Sequence, residues 1–148
     1  MIKTHGDYQQ RITDSFNKQG LMQLLDCKLG TMSAGKVEAI IPFSQGLTQQ
    51  HGYFHGGITG TMADNVAGFA AFSLCEEADS VVTAEYKINF LAPAQGEFMI
   101  ARAEVIKSGR SLLVVKSDVY TKMGDQERHV ATGLFSIMRL IDGAKKET

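Results

Sequence analysis

Tryptophan is absent from these 148 residues, and proline and cysteine occur only twice each. The two cysteines, Cys27 and Cys75, stand in unrelated contexts, with no CxxC and no Cys/His cluster. That excludes a disulfide framework and a zinc finger, and it predicts reduced thiols in a reducing, cytoplasmic setting. An excess of one charge is also lacking: 15 Lys and Arg stand against 16 Asp and Glu, for a net charge of -1. No long-range field is left to gather nucleic acid. The first ten residues, MIKTHGDYQQ, hold no apolar stretch, so no signal peptide is expected. A membrane span is not expected either. The most apolar run, 53–75, has helical length but is interrupted by Asp64, Asn65 and several glycines and threonines. There is no P-loop, dinucleotide fingerprint or GxSxG elbow. Repeats, linkers and low-complexity segments are missing too. The chain reads as a single domain over 1–148, long enough to bury a core.

What is present is periodicity. Tyr8, Ile12 and Phe16 recur at helical spacing, with Asp7 placed to cap a short helix and Gly20 to end it. Residues 24–30 and 36–42 alternate as an antiparallel pair, with TMSAG as the turn and Pro42 as the stop. A Gln- and Gly-rich loop over 44–54 leads into a long helix, roughly 55–75. Four strands follow, at 82–91, 97–107, 111–122 and 129–140, joined by short connections that predict a meander of neighbouring strands. In the first of these, Val82, Ala84, Tyr86, Ile88 and Phe90 alternate with Thr83, Glu85, Lys87 and Asn89. The closing GAKKET reads as a polar tail. One long apolar helix against one curved antiparallel sheet is a two-layer α+β arrangement.

The chemistry gathers at the start of the long helix. Asp64 is the only formally charged residue between Tyr53 and Cys75. A carboxylate among apolar and small neighbours is costly to desolvate, and such groups are candidates for proton or nucleophile work. At 100° per residue, Gly57, Gly60, Thr61, Asp64, Gly68, Ala71 and Cys75 share one face. Ile58, Met62, Val66 and Phe69 share the other, expected to meet the sheet. The small face fits close helix packing, a second subunit or a thin extended ligand.

His55-Gly56-Gly57 sits where the helix begins. The first amides of a helix have no internal partner and point at the positive end of its dipole, so they suit a carbonyl oxygen gaining negative charge. Asp64 lies two turns on, about 10 Å along the axis, too far to serve the same carbonyl within one chain. A two-fold dimer bringing Asp64 of one copy near Gly57 of the other removes that obstacle.

The run HGGITGTMADNVAGFAA, then VTAEYKINFLAPA, then a GR-containing hairpin, resembles the hotdog-fold thioesterases of the PaaI-like acyl-CoA thioesterase family over about residues 20–140. The resemblance implies a hotdog fold: an antiparallel six-stranded sheet wrapped around one long central helix, with a short N-terminal helix beside it. It implies hydrolysis of acyl-CoA to free acid and CoA by a homodimer, paired into a homotetramer, without metal or other cofactor. By position it implies Asp64 as general base or nucleophile, and Gly57 as the backbone donor to the thioester carbonyl. It implies His55 as the holder of the helix start, and Thr83 as an aid in orienting water or the carboxylate. Gln49 stands where several members have Asn, a longer stem for the same amide. Gly56, Thr61, Asn65 and Arg110 are the candidate substrate contacts, Arg110 toward CoA phosphates.

Two other readings stay open on the residues. One is an acyl-CoA-binding or regulatory hotdog protein without turnover, which the Gln49 departure allows. The other is a hotdog dehydratase built on His55. His51 and His55 are four apart, but His51 falls in the loop before the helix, so no metal site is expected.

Overall fold

A computed structural model describes residues 5–141. The polar tail at 143–148 lies outside the described residues. Chain order is α1 (Tyr8–Asn17), α2 (Gly20–Leu24), β1 (Lys28–Ser33), β2 (Lys36–Pro42), a 3₁₀ turn (Gln45–Leu47), α3 (Gly56–Phe72), β3 (Ser80–Phe90), β4 (Phe98–Ser108), β5 (Leu112–Met123) and β6 (Gln126–Leu140). The strands form one antiparallel sheet in the order β1-β2-β4-β5-β6-β3, so the expected meander holds for β4, β5 and β6, while β3 pairs with β6 and not with β4, its successor in the chain. It curves around α3, which packs on every strand from β2 to β6.

Alternation decides which side of each strand meets the helix. Val37, Ala39 and Ile41 of β2, Met99, Ala101 and Ala103 of β4, Leu113, Val115 and Val119 of β5, and Phe135 and Ile137 of β6 are buried. Met62, Val66 and Phe69 of α3 face them as expected, while Ile58 is half-buried at the margin. Met62 and Val66 are fully enclosed, worth about 1.5–3 kcal/mol each in removed apolar surface. Both cysteines are buried and free, and burial pushes the Cys27 thiol up to about 11.

Several boundaries differ from the sequence expectation. Asp7 does cap α1, its Oδ1 accepting from the Gln10 amide at 3.0 Å. Gly20, however, opens α2 instead of closing α1. The first strand starts at Lys28, not 24, so Leu25 and Cys27 pack ahead of it, and Thr31–Ser33 extend it into the supposed turn. The turn itself is Ala34–Gly35, with Gly35 at φ +77. The 44–54 loop holds a 3₁₀ turn and an isolated Thr48–Phe54 bridge. The long helix stops at Phe72, three residues early. There Ser73 Oγ donates to the Ala70 carbonyl and accepts from the Gly35 amide, both at 2.7 Å. Those bonds tie the helix end to the β1–β2 turn.

The difference that matters most for the site is in β3. Thr83 pairs with Ile137 and Glu85 with Ser136, so Ala84 is a bulge. An extra residue reverses the in–out alternation beyond it. Thr83 therefore shares the helix-facing side with Tyr86, Ile88 and Phe90, not with Glu85, Lys87 and Asn89 as simple alternation predicts.

Candidate active site

The bulge lays β3 along the small face of α3, side chain against glycine. The Thr83 hydroxyl donates to Asp64 Oδ1 at 2.7 Å. One turn back, the Tyr86 hydroxyl lies 3.4 Å from where a Cβ on Gly60 would be. A further turn back, the Phe90 ring lies 3.2 Å from the same point on Gly56. The Tyr86 ring stacks on Phe135 with centroids 4.8 Å apart. The small face is thus partly filled by aromatic rings of its own chain. A side chain at either glycine would push on them.

Asp64 is half-buried, not enclosed. One oxygen is taken up by Thr83, which orients the carboxylate and leaves its other oxygen uncommitted among the described residues. His55 is the N-cap residue of α3, and its Nδ1 accepts from the Gly57 amide at 2.8 Å. That bond is made by the tautomer with a bare Nδ1 and its proton on Nε2. The Gly57 amide is accordingly engaged by His55. The Gly56 amide donates to nothing among the described residues and is the open donor at the helix start.

Gln49 is part of the loop. Its Oε1 accepts from the His51 amide and from the Tyr53 amide, the latter at 3.3 Å, and only its Nε2 is left to meet a ligand. It lines a hollow with Gly56, Thr59 and Phe90 at the helix start. Thr61 donates to the Gly57 carbonyl at 2.9 Å, so its hydroxyl proton is spent inside the helix. Arg110 is exposed at the tip of the β4–β5 turn and makes no ion pair among the described residues. The structure does not bring it to Asp64 or Gly57.

Beside Asp64 opens a cavity of about 290 Å³ between the C-terminal half of α3, the start of β3 and the α1–α2 corner. Asp64, Asn65, Gly68, Phe69, Phe72, Val81 and Thr83 line it, with Ser15 and Gln19 opposite. Arg11 clamps α1 over it, donating to the Cys75 and Glu76 carbonyls and lying 4.6 Å from the centre of the Phe72 ring. Gln19 gave no signal in the sequence, because its position depends on how α1 crosses α3.

Comparison with known proteins agrees with this architecture. The family model of the Thioesterase superfamily matches residues 51–127. A solved structure of a thioesterase family protein from Silicibacter pomeroyi is 45% identical, covers 90% of this chain and 98% of its own, and superposes with a TM-score of 0.89. Acyl-coenzyme A thioesterase 13 of Homo sapiens is 31% identical over 96 residues, 64% of this chain and 67% of that one. The structure of a Bacillus halodurans protein determined with CoA is 26% identical, covers 90% of this chain and 89% of its own, and has a TM-score of 0.73. The chain has the hotdog fold. It belongs to the thioesterase superfamily, and thioester hydrolysis is its class of reaction.

Proposed function

We propose that this thioesterase hydrolyses acyl-CoA at a site shared by two copies of the chain. Asp64 of one copy serves as general base or nucleophile, and the Gly56–Gly57 helix start of the other polarises the thioester carbonyl. The observation that carries the reading is the Thr83–Asp64 hydrogen bond. It holds one carboxylate oxygen and frees the other beside a cavity of acyl size.

In the general-base form, Asp64 takes a proton from water as the water oxygen adds to the carbonyl carbon. The carbon–sulfur bond then breaks, and the proton passes to the departing thiolate. The Gly56 amide meets the carbonyl oxygen as it turns negative. His55 fixes the backbone that presents it, and Gln49 Nε2 orients substrate or water. Arg110 contributes a contact to the CoA phosphates.

A second copy is supported by the sheet edges. Edge β1 is six residues long, bulged, and touched by α1 through Gln9 Nε2 on the Met32 carbonyl. Edge β3 is eleven residues long and carries Val82, Tyr86 and Phe90 at 47%, 48% and 58% exposure. A long apolar edge of that kind is normally covered.

The test is release of CoA thiol across short, long and aryl acyl-CoAs. Asp64→Asn is expected to lower kcat on a good substrate at least ~100-fold, on the scale of losing a general base. Near-normal turnover in that variant overturns the mechanism. Tight binding of every acyl-CoA with no thiol release by the wild type favours the binding or regulatory reading.

A further inference from the structure

The hydroxyls of Thr61 and Thr83, on and against the small face of α3, are both spent. Thr61 donates to the Gly57 carbonyl and Thr83 to Asp64. That of Tyr86 is not: its Oη makes no hydrogen bond to any described residue. It lies over Gly60, 3.4 Å from where a Cβ would stand. The ring is not free to carry it elsewhere. It stacks on Phe135, with centroids 4.8 Å apart and planes 19° from parallel, and Phe135 is fully buried. A phenylalanine would make that stack and cover Gly60 equally well, so the hydroxyl is the part that packing does not explain.

Its place is specific. Gly60 stands four residues from Gly56 and four from Asp64, about 6 Å along the axis each way. Tyr86 Oη therefore lies between the carboxylate and the helix start. Helical Cα–Cβ bonds tilt toward the N-terminus, so Asp64 leans from its own turn toward Gly60 and toward this hydroxyl. No direct hydrogen bond joins Tyr86 to Asp64. Two hydrogen bonds meeting at one water oxygen span about 4.5–5.5 Å, close to one helical turn. Gly60 is also the midpoint of Gly56 and Asp64. When two copies set Asp64 against each other's helix start, both Gly60 residues come to the two-fold axis, and each Oη stands on the inner side of its own Asp64.

We propose that Tyr86 is the second holder of the attacking water. The inference rests on the acyl-CoA thioesterase reading and adds a residue to its site. The water gives one hydrogen to the free oxygen of Asp64 and the other to Tyr86 Oη, since a hydroxyl oxygen accepts as well as donates. Held at both hydrogens, it keeps a lone pair for the thioester carbon. As that pair forms the carbon–oxygen bond, Asp64 takes the first proton. The second stays on the oxygen and leaves in the carboxylic acid. The electron pair of the broken carbon–sulfur bond goes to the CoA thiolate, which takes the proton back from Asp64. Tyr86 ends the cycle unchanged. Thr83 fixes the base but leaves the water free to turn, and a fixed angle of attack is what lowers the barrier.

Tyr86→Phe keeps the ring and removes only the hydroxyl. Its kcat on a good acyl-CoA is expected to fall about 10-fold, on the scale of one hydrogen bond, with KM, melting curve and elution volume unchanged. In an Asp64→Asn background the same substitution is expected to change kcat less than about 2-fold, because losses at two groups acting on one water do not add. Thiol release by wild type, both single variants and the double variant decides it. Wild-type kcat in Tyr86→Phe overturns the proposal. So does a loss confined to KM, which marks a substrate contact, and so does a loss repeated in full on top of Asp64→Asn. A wild type that releases no thiol from any acyl-CoA sinks the thioesterase reading and this assignment with it. An active wild type with an impaired Asp64→Asn and an unimpaired Tyr86→Phe sinks the assignment alone.

Discussion

His55 shows how a single side chain fixes the start of the long helix. It precedes two glycines, whose backbones are the least constrained of any residue, and its Nδ1 takes the Gly57 amide. Losing an N-cap bond of this kind costs about 0.5–2 kcal/mol, while Asn is among the best replacements. His55→Ala is therefore expected to lower Tm by about 2–8 °C, and His55→Asn to recover most of that loss. Thermal denaturation followed by circular dichroism checks it. An unchanged Tm in the alanine variant means the bond does not stabilise the helix start. At this scale the sequence was legible where chemistry is unusual. Asp64 stands out as a lone charge, and His55-Gly56-Gly57 as a helix start. Gln19 and Tyr86 were illegible, since an amide on a helix and an aromatic on a strand are ordinary residues until packing decides what they touch.

Among the elements, β3 does the most to build the site, and it does so through an irregularity. The one-residue bulge at Ala84 puts Thr83 on the same side as Tyr86 and Phe90, so that one strand both orients the carboxylate and covers the glycines. Apart from the place of β3 beside β6, the strands themselves were readable from alternation. The bulge was not, because Val82 to Phe90 alternates in sequence as though no residue were extra. The α2 turn was missed for a related reason: Gly20 satisfies the usual signal for a helix end, and only tertiary packing of Met22 and Leu25 makes it a beginning. Deleting Ala84 removes the bulge and restores strict alternation. Either Thr83 then leaves Asp64, or Tyr86 and Phe90 leave Gly60 and Gly56. The deletion is expected to destabilise by about 1–3 kcal/mol and to lower kcat. Ala84→Gly keeps the length of the strand and should do much less harm. Melting curves and thiol release on both variants decide the matter. A deletion with native stability and native turnover refutes the parity argument.

For the molecule as a whole, the bulge also fixes how two copies must meet if they share a site. Within one chain Thr83 marks the position of Asp64 and Phe90 marks that of Gly56. Bringing Asp64 to its twin's helix start therefore sets residue 83 of one β3 opposite residue 90 of the other, in antiparallel pairing. With Ala84 looped out of the ladder, Glu85, Tyr86, Lys87, Ile88 and Asn89 lie between them, and the middle one is Lys87. Residue 87 faces its own copy across the two-fold axis, both side chains on the outer side of the sheet, and Tyr86 faces Ile88. Without the bulge the midpoint would fall between residues, and every pair would oppose an inward side chain to an outward one. Lys87→Cys is then expected to form a reducible, intermolecular disulfide under mild oxidation, because Cβ atoms opposed across an antiparallel pair come within about 4.5–5.5 Å. Lys122→Cys, on an inner strand, serves as the control and should stay monomeric in denaturing electrophoresis. Cross-linked Lys87→Cys that still releases CoA thiol places the working site in that dimer. A Lys87→Cys protein that elutes as a dimer yet never cross-links shows that the copies meet elsewhere. Asp64 and the Gly56 amide would then have to find their partners some other way.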